Sequence, residues 1–288
     1  MKAGYVTILG RPNVGKSTLL NRLLGMKLSI ISKRPQTTRN RILGILTEND
    51  CQCYFLDTPG LITPRYALQS ALVDQIKRAV DDADIVLWII DPSYKQEDAP
   101  EASLLDFTAK KVLCVINKID LVPRSEILPL IDKVKSYEVR EILPVSALTG
   151  EGFIELKKTI FSCLPTGPFL YPEENISDKP ERFFVAEIIR EKVFSLFREE
   201  IPYSTCVVIE DFKEREGAKD FIRAIIYVER KSQRIILIGK KGATLKKVGE
   251  MARKEIERFL GRPVYLELWV KIKEKWRKNR AFLKELGY

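Results

Sequence analysis

The sequence predicts a doubly wound α/β domain followed by a smaller α+β domain. Three observations carry that expectation. A strand-like run, Tyr5-Val6-Thr7-Ile8-Leu9, leads through a glycine-rich loop into a helix-like run from Ser17 to Leu24, the opening unit of an α/β sheet. A stretch from Leu164 to Arg182 carries Pro165, Pro168, Pro172 and Pro180 and reads as an ordered linker. The charge balance changes across it: residues 1–180 hold 23 basic and 22 acidic side chains, residues 181–288 hold 26 and 17. With 288 residues the chain also exceeds the usual single-domain size. The expected division is residues 1–165, a linker at 166–181, and residues 182–288.

The loop after the first strand, Gly10-Arg11-Pro12-Asn13-Val14-Gly15-Lys16-Ser17, fits the phosphate-cradling pattern G-x-x-x-x-G-K-[ST] in the strand–loop–helix setting that pattern requires. Gly10 and Gly15 let the backbone curl so that successive N–H groups point inward at a β-phosphate. Lys16 reaches the β- and γ-phosphates, and the Ser17 hydroxyl is placed to ligate Mg²⁺. The expected phosphate contacts are Asn13, Val14, Gly15, Lys16, Ser17 and Thr18.

Two later strand ends point to the base. Asn117-Lys118-Ile119-Asp120 follows the apolar run from Val112 to Ile116, and Ser146-Ala147-Leu148 follows Glu141 to Val145. A carboxylate at Asp120 can accept from guanine N1–H and N2–H₂, a donor pair that adenine lacks; with adenine it would stay desolvated and unpaired. Asn117 is expected to support the base and brace the loop, the Lys118 stem to pack over the ring, and the Ala147 N–H to reach guanine O6. Open α/β sheets bind ligands at such strand ends.

Between these lies Asp57-Thr58-Pro59-Gly60, after Cys51 to Leu56. Asp57 is expected to hold Mg²⁺ through water and Gly60 to bring its N–H against a γ-phosphate, so that its loss on hydrolysis releases the following segment. A second sensor is expected in the polar stretch Ser29 to Arg41. There Pro35-Gln36-Thr37-Thr38-Arg39 offers Thr38 as Mg²⁺ ligand, with Thr37 the alternate.

In the second half, Phe183 to Glu199 has helix-spaced apolar residues, and Ser204 to Asp211 and Phe221 to Glu229 read as strands. Arg234 to Ile238 runs into Gly239-Lys240-Lys241-Gly242 and then a helix from Ala243 to Phe259. A last strand, Val264 to Val270, precedes a helix from Lys273 to Leu286. The α-β-β-α-α-β order with an extra terminal helix resembles the bacterial, type II KH domain. In that setting the G-x-x-G is an RNA-backbone clamp, its glycines permitting close approach to phosphates while Lys240 and Lys241 add charge. The expected RNA contacts are Arg230, Lys231, Arg234, Ile238, Gly239, Lys240, Lys241, Gly242 and Lys246. Residues 230–288 hold 18 basic and 6 acidic side chains, an electrostatic footprint for phosphate-rich partners.

Composition narrows the chemistry. The chain has no His, which excludes His general bases and Cys/His zinc sites. The five cysteines, Cys51, Cys53, Cys114, Cys163 and Cys206, lie mainly in apolar runs without C-x-x-C spacing, as expected of packing residues in a reducing cytoplasm. No signal-peptide pattern opens the chain and no apolar run approaches the ~18 residues that span a bilayer. A soluble, cytoplasmic monomer is expected. A basic surface also suits an anionic membrane, where Trp276, Phe282 and Leu283 would be peripheral contacts, although domain packing explains them more economically.

The order GRPNVGKS, PQTTR, DTPGL, NKID, SAL, followed by a basic region with Ile238-Gly239-Lys240-Lys241-Gly242, resembles the Era family of bacterial GTPases over essentially the whole chain. The resemblance implies a P-loop GTPase domain joined to a type II KH domain, with GTP/GDP and Mg²⁺ as ligands. It also implies single-stranded small-subunit (16S) ribosomal RNA near its 3′ end as partner and assembly of the 30S subunit as role. It exposes a gap as well: Ras-like GTPases carry a water-orienting glutamine directly after the Gly of the γ-phosphate sensor, where this chain has Leu61. It is similar in this to hydrophobic-substituted GTPases, some of which use K⁺, and Asn13 stands at the position of their K⁺ ligand. The competing reading is a nucleotide-gated membrane-associated or signalling switch in which RNA is secondary. A tRNA-modification GTPase is disfavoured, because no separate catalytic domain is visible.

Overall fold

The protein, as a computed structural model, is described over residues 1–32, 34, 37–62, 64–94, 110–137 and 139–288. Pro35 and Gln36 of the polar stretch lie outside the described residues. The chain divides into two compact units, residues 1–65 with 69–178, and residues 179–288 with 66–68.

The first unit is built on six strands, β1 (Lys2–Gly10), β2 (Ile42–Glu48), β3 (Cys51–Asp57), β4 (Ile85–Ile90), β5 (Lys111–Ile116) and β6 (Glu141–Pro144), in the order β2-β3-β1-β4-β5-β6. All neighbours are parallel except β2, which runs antiparallel to β3 at the sheet edge. Helices α1 (Lys16–Leu24), α2 (Ala67–Asp81), α3 (Arg124–Val134) and α4 (Phe153–Cys163) complete the α/β alternation. β4 is an unbroken apolar run because both of its faces are covered, as in parallel sheets generally. Ile85, Leu87 and Ile89 join one core with Val6, Ile8 and Leu113, whereas Val86, Trp88 and Ile90 join another with Cys114 and Ile116. Burial of each such side chain stabilises by about 1.5–3 kcal/mol, enough to hold the parallel strands in one register. That common register brings the ends of β1, β3, β5 and β6, and the loops that follow them, to one edge.

The second unit orders α5 (Glu181–Leu196), α6 (Ile201–Ser204), β7 (Cys206–Lys213), β8 (Asp220–Val228), α7 (Lys231–Ile238), α8 (Ala243–Leu260), β9 (Val264–Ile272) and α9 (Arg280–Glu285). Its sheet runs β7-β8-β9, with β7 antiparallel and β9 parallel to β8. Val185, Ile189 and Val193 of α5 and Val248, Ala252 and Ile256 of α8 pack with Ile222, Ala224 and Ile226 of β8. Spacings of four on the helices and of two on the strand are what one shared core requires.

The terminal helix expected from Lys273 to Leu286 is shorter. β9 continues to Ile272, Lys273 N–H donates to the Val228 carbonyl, and Lys275 takes a left-handed φ of 51°. Trp276 is fully buried, its indole N–H donating to the Ser204 carbonyl at 2.8 Å. Helix α9 then starts from Asn279, whose side chain accepts from Phe282 N–H at 3.1 Å. Strand pairing and burial of the indole outweigh local helix propensity here. Phe282 and Leu283 are buried too, so none of the three apolar side chains is presented to a membrane.

Candidate nucleotide and nucleic-acid sites

At the carboxyl edge of the first sheet lies a cavity of ≈ 470 Å³, lined among others by Asn13, Lys16, Ser17, Thr38, Gly60 and Asp120. The phosphate loop turns through left-handed backbone at Asn13 (φ 67°) and delivers the chain to the start of α1. The N–H groups of a helix start favour an anion. Lys16 is buried, and its ammonium donates to the carbonyls of Gly10 (2.8 Å) and Arg11 (2.7 Å). Gly15 and Thr18 also line the cavity; Val14 is buried beneath the loop.

Three oxygen-bearing side chains converge beside the loop. Ser17 Oγ donates to Asp57 Oδ2 at 2.8 Å and lies 3.0 Å from Thr38 Oγ1. Asp57 is completely buried, and its Oδ1 has no hydrogen-bond partner among the described residues. Burial pushes its carboxyl up from the ordinary range, against the opposing pull of Lys16 and the Ser17 hydrogen bond. Thr37 lines the same cavity, and its hydroxyl donates to the Arg34 carbonyl at 2.8 Å. Gly60 closes the same end. A Cβ there would stand 2.8 Å from Pro12 N and Cα, so only glycine brings this backbone so near the loop.

At the other end of the cavity Asp120 Oδ1 accepts from Ser146 Oγ at 2.6 Å. Asn117 is a brace: its amide donates to the Val14 carbonyl (2.8 Å) and accepts from Ala147 N–H (2.9 Å), tying three loops together. The Ala147 N–H, expected to reach guanine O6, is thus engaged by Asn117 Oδ1. Lys118, in left-handed backbone at φ 65°, is anchored to Asp91 at 2.7 Å. Burial raises the Asp91 carboxyl, but hydrogen bonds from Lys118 and Ser93 outweigh it and hold the group below the ordinary range. Leu148 also lines the cavity, whereas Leu61 packs against the apolar cluster around Trp88.

In the second unit α7 ends at Gly239 and α8 begins after Gly242. Gly239 has φ 73°, and a Cβ there would meet Thr244 Oγ1 at 2.1 Å. Lys240 and Lys241 are exposed at the tip between the two helices. Arg230, Lys231 and Arg234 are exposed at the start and along the side of α7; Ile238 is partly buried in the core, and Lys246 stands on α8, 3.9 Å from Glu250.

Residues 5–118 match the family described as a 50S ribosome-binding GTPase, and residues 200–277 match the KH domain. The GTPase Era of Trichlorobacter lovleyi is 46% identical over 289 residues, covering 100% of this chain and 98% of its own. The chain belongs to the Era family of GTPases. The Era of Geobacter metallireducens is 47% identical over 292 residues, with 100% and 98% covered. A crystal structure of an Aquifex aeolicus Era variant bound to GDP·AlF4⁻ superposes with a TM-score of 0.95 at 45% identity, covering 100% of this chain and 99% of that one. A structure of Era in complex with MgGDPNP and nucleotides 1506–1542 of 16S ribosomal RNA gives 0.96 at 45% identity, with the same coverage.

Some site residues of this Era-family chain carry no motif. Ile30, Ile31, Ser32, Arg34 and Leu121 line the cavity, although only the adjacency of Leu121 to the tetrapeptide at 117–120 hints at its place. On α7, Ile235 and Ile236 are exposed beside the Gly239–Gly242 tip. Their apolar character reads as core in a linear sequence, and the helical turn alone puts them outside.

Proposed function

We propose that the chain is a GTP-hydrolysing switch that binds small-subunit ribosomal RNA near its 3′ end and assists assembly of the 30S subunit. One observation carries this reading: a phosphate loop, the Asp120 carboxylate and the Ser17 and Thr38 hydroxyls meet in one cavity of a chain 45% identical, over its full length, to an Era bound to MgGDPNP and 16S ribosomal RNA.

Asp120, with one carboxylate oxygen held by Ser146, selects guanine by its donor pair. Lys16 exchanges loop carbonyls for β- and γ-phosphate oxygens, and the Gly60 N–H meets the γ-phosphate. The donor set fits Mg²⁺, since two hydroxyls and a buried carboxylate with an unpartnered oxygen are hard oxygen ligands: Ser17 and Thr38 would bind directly and Asp57 through water. Bound there, Mg²⁺ supplies charge neutralisation at the β- and γ-oxygens. Leu61, turned into an apolar cluster, cannot orient water, so the attacking water is positioned by backbone or another element. Asn13, exposed at the cavity, would be the side-chain ligand of a K⁺, whose charge would add to stabilisation at the phosphates. Asn13→Ala is expected to abolish any K⁺-over-Na⁺ stimulation of hydrolysis; undiminished stimulation removes Asn13 from that role.

The Gly239–Gly242 tip clamps single-stranded RNA, and the nucleotide state controls its engagement. The test is RNA sequenced from protein loaded with a non-hydrolysable GTP analogue, with binding compared against anionic liposomes. Enrichment of the 16S 3′ end is expected; preference for liposomes overturns the reading in favour of a membrane switch. No helix among the described residues is long and apolar enough to cross a membrane. The chain acts as a cytoplasmic monomer, and a sedimentation profile of a dimer would correct that part.

A further inference from the structure

The β2–β3 hairpin has both ends at the nucleotide cavity. The chain enters β2 at Ile42, four residues after Thr38, and leaves β3 at Asp57, three before Gly60; the register sets Ile42 directly opposite Asp57. β2 is also the sheet edge, whose outward backbone groups need a cover.

Residues 165–177 supply it. Ile45 N–H donates to the Ile176 carbonyl at 2.8 Å and Ser177 Oγ donates to the Leu43 carbonyl at 2.5 Å; Leu43 stands opposite Leu56, the neighbour of Asp57. A second grip lies farther along. Gln52, fully buried, donates from Nε2 to Thr47 Oγ1 and to the Tyr171 carbonyl, each at 2.9 Å. Its Oε1 accepts from Tyr54 OH (2.7 Å), Leu170 N–H (3.1 Å) and Tyr171 N–H (3.2 Å). Phe169 and Tyr171 pack against Leu43, Ile45, Tyr54 and Leu56.

We infer that this segment is a strap through which the hairpin transmits the nucleotide state to the RNA-binding unit, an inference that rests on the switch reading above. Continuous backbone pairing would fix such a cover in one register. The start of the strap is pinned to β1, where Ala3 N–H donates to the Pro165 carbonyl at 3.1 Å and Lys2 bridges Thr166. On the hairpin itself, among the described residues, one backbone–backbone hydrogen bond reaches β2 and the other grips are made by side chains of Ser177, Gln52 and Tyr54. Such bonds are individually weak, so the strap can re-seat when the hairpin ends move. The strap runs into α5, which begins at Glu181, so any re-seating is delivered at the first helix of the second unit. Coupling between two ligand sites of this kind is typically about 5- to 150-fold in affinity.

The experiment measures single-stranded RNA affinity of the full chain in its GTP-analogue and GDP forms, for wild type, Ser177→Ala and Gln52→Leu. Ser177→Ala is expected to lower the ratio of the two RNA affinities by about 2- to 10-fold, the worth of one hydrogen bond, and Gln52→Leu, which removes several, by at least as much. Affinities for both nucleotides should stay within about 2-fold, because neither residue lines the cavity. In wild type, amide hydrogen exchange at Ile45, Leu170 and Tyr171 should differ between the two forms. Identical exchange in both forms, or an unchanged ratio in both variants with the thermal midpoint intact, overturns the strap and leaves the switch standing. A wild type whose RNA affinity ignores the nucleotide overturns the switch reading itself and the strap with it. Should Gln52→Leu fail to fold, Ser177→Ala, which removes one partly buried hydroxyl, decides alone.

Discussion

Asp120 and Leu61 show how much one side chain can decide. Asp120→Asn exchanges an acceptor for a donor, so GTP affinity should fall by roughly 10- to 100-fold, the worth of hydrogen bonds to a charged group, while xanthosine triphosphate affinity rises. A competition assay reads both, and equal losses for the two nucleotides would show that Asp120 does not face the base. Leu61→Ala tests the opposite expectation. Because this side chain packs into the Trp88 cluster, it should cost some stability and change single-turnover hydrolysis by no more than about 3-fold, far less than loss of a water-orienting group. Collapse of hydrolysis in a folded variant with normal GTP affinity would return water positioning to Leu61. Lys16→Ala, by contrast, should impair both GTP·Mg²⁺ binding and turnover.

The turn after β3 couples two loops by contact distance. In Gly60→Ala the added methyl would meet Pro12 backbone atoms at 2.8 Å, so one of the two loops must withdraw. The Gly60 N–H then leaves the γ-phosphate. Hydrolysis should fall by about 10-fold or more, since one preorganised donor at developing charge is worth that much or more, with GDP affinity little changed. Parallel losses for GDP and GTP would mean that the turn shapes the whole cavity. Asp91 provides a second element-level test, because its carboxylate anchors Lys118 at the cavity end of β5. Its carboxyl is held below the ordinary range, so the anchor is complete at neutral pH and is lost as pH falls through that lowered value. Asp91→Asn should therefore weaken GTP binding at pH 7 and abolish its acid-side decline; a decline unaltered by the substitution assigns it to another group.

Across the whole chain, the two binding activities should separate. Replacing Lys240 and Lys241 by Asp places two carboxylates at the exposed tip between α7 and α8, where they repel phosphates without touching the guanine end of the cavity. Single-stranded RNA binding should be lost while GTP-analogue affinity persists on the same preparation. Wild-type RNA affinity should decline as salt rises, since phosphate contacts release counterions, and single strands should be preferred to duplex because a KH clamp holds about four nucleotides. Full RNA affinity in the double variant would take the tip out of the interface.

Motif chemistry is local, which is why the phosphate loop, the tetrapeptide at 117–120, the Asp57 turn and the KH-like tip were legible as motifs: each is a short run whose backbone and side chains act together. Apolar periodicity likewise made the strands that carry them legible. Relations between distant runs were not. That Asn117 engages the Ala147 N–H, that Thr38 rather than Thr37 faces Ser17, and that Ile31, Arg34 and Leu121 close the cavity depend on where separate loops meet. The terminal helix was overestimated because local propensity is blind to the β8 partner and the Ser204 carbonyl that hold Ile272 to Trp276 out of it. The proline-rich stretch, ordered by its composition, acquired a specific seat only from Gln52, Tyr54 and the open edge of β2. Sequence by itself determined which chemistry each segment can perform; tertiary packing decided which donors remain available to a ligand, because a hydrogen-bonding group buried against another segment is satisfied there first.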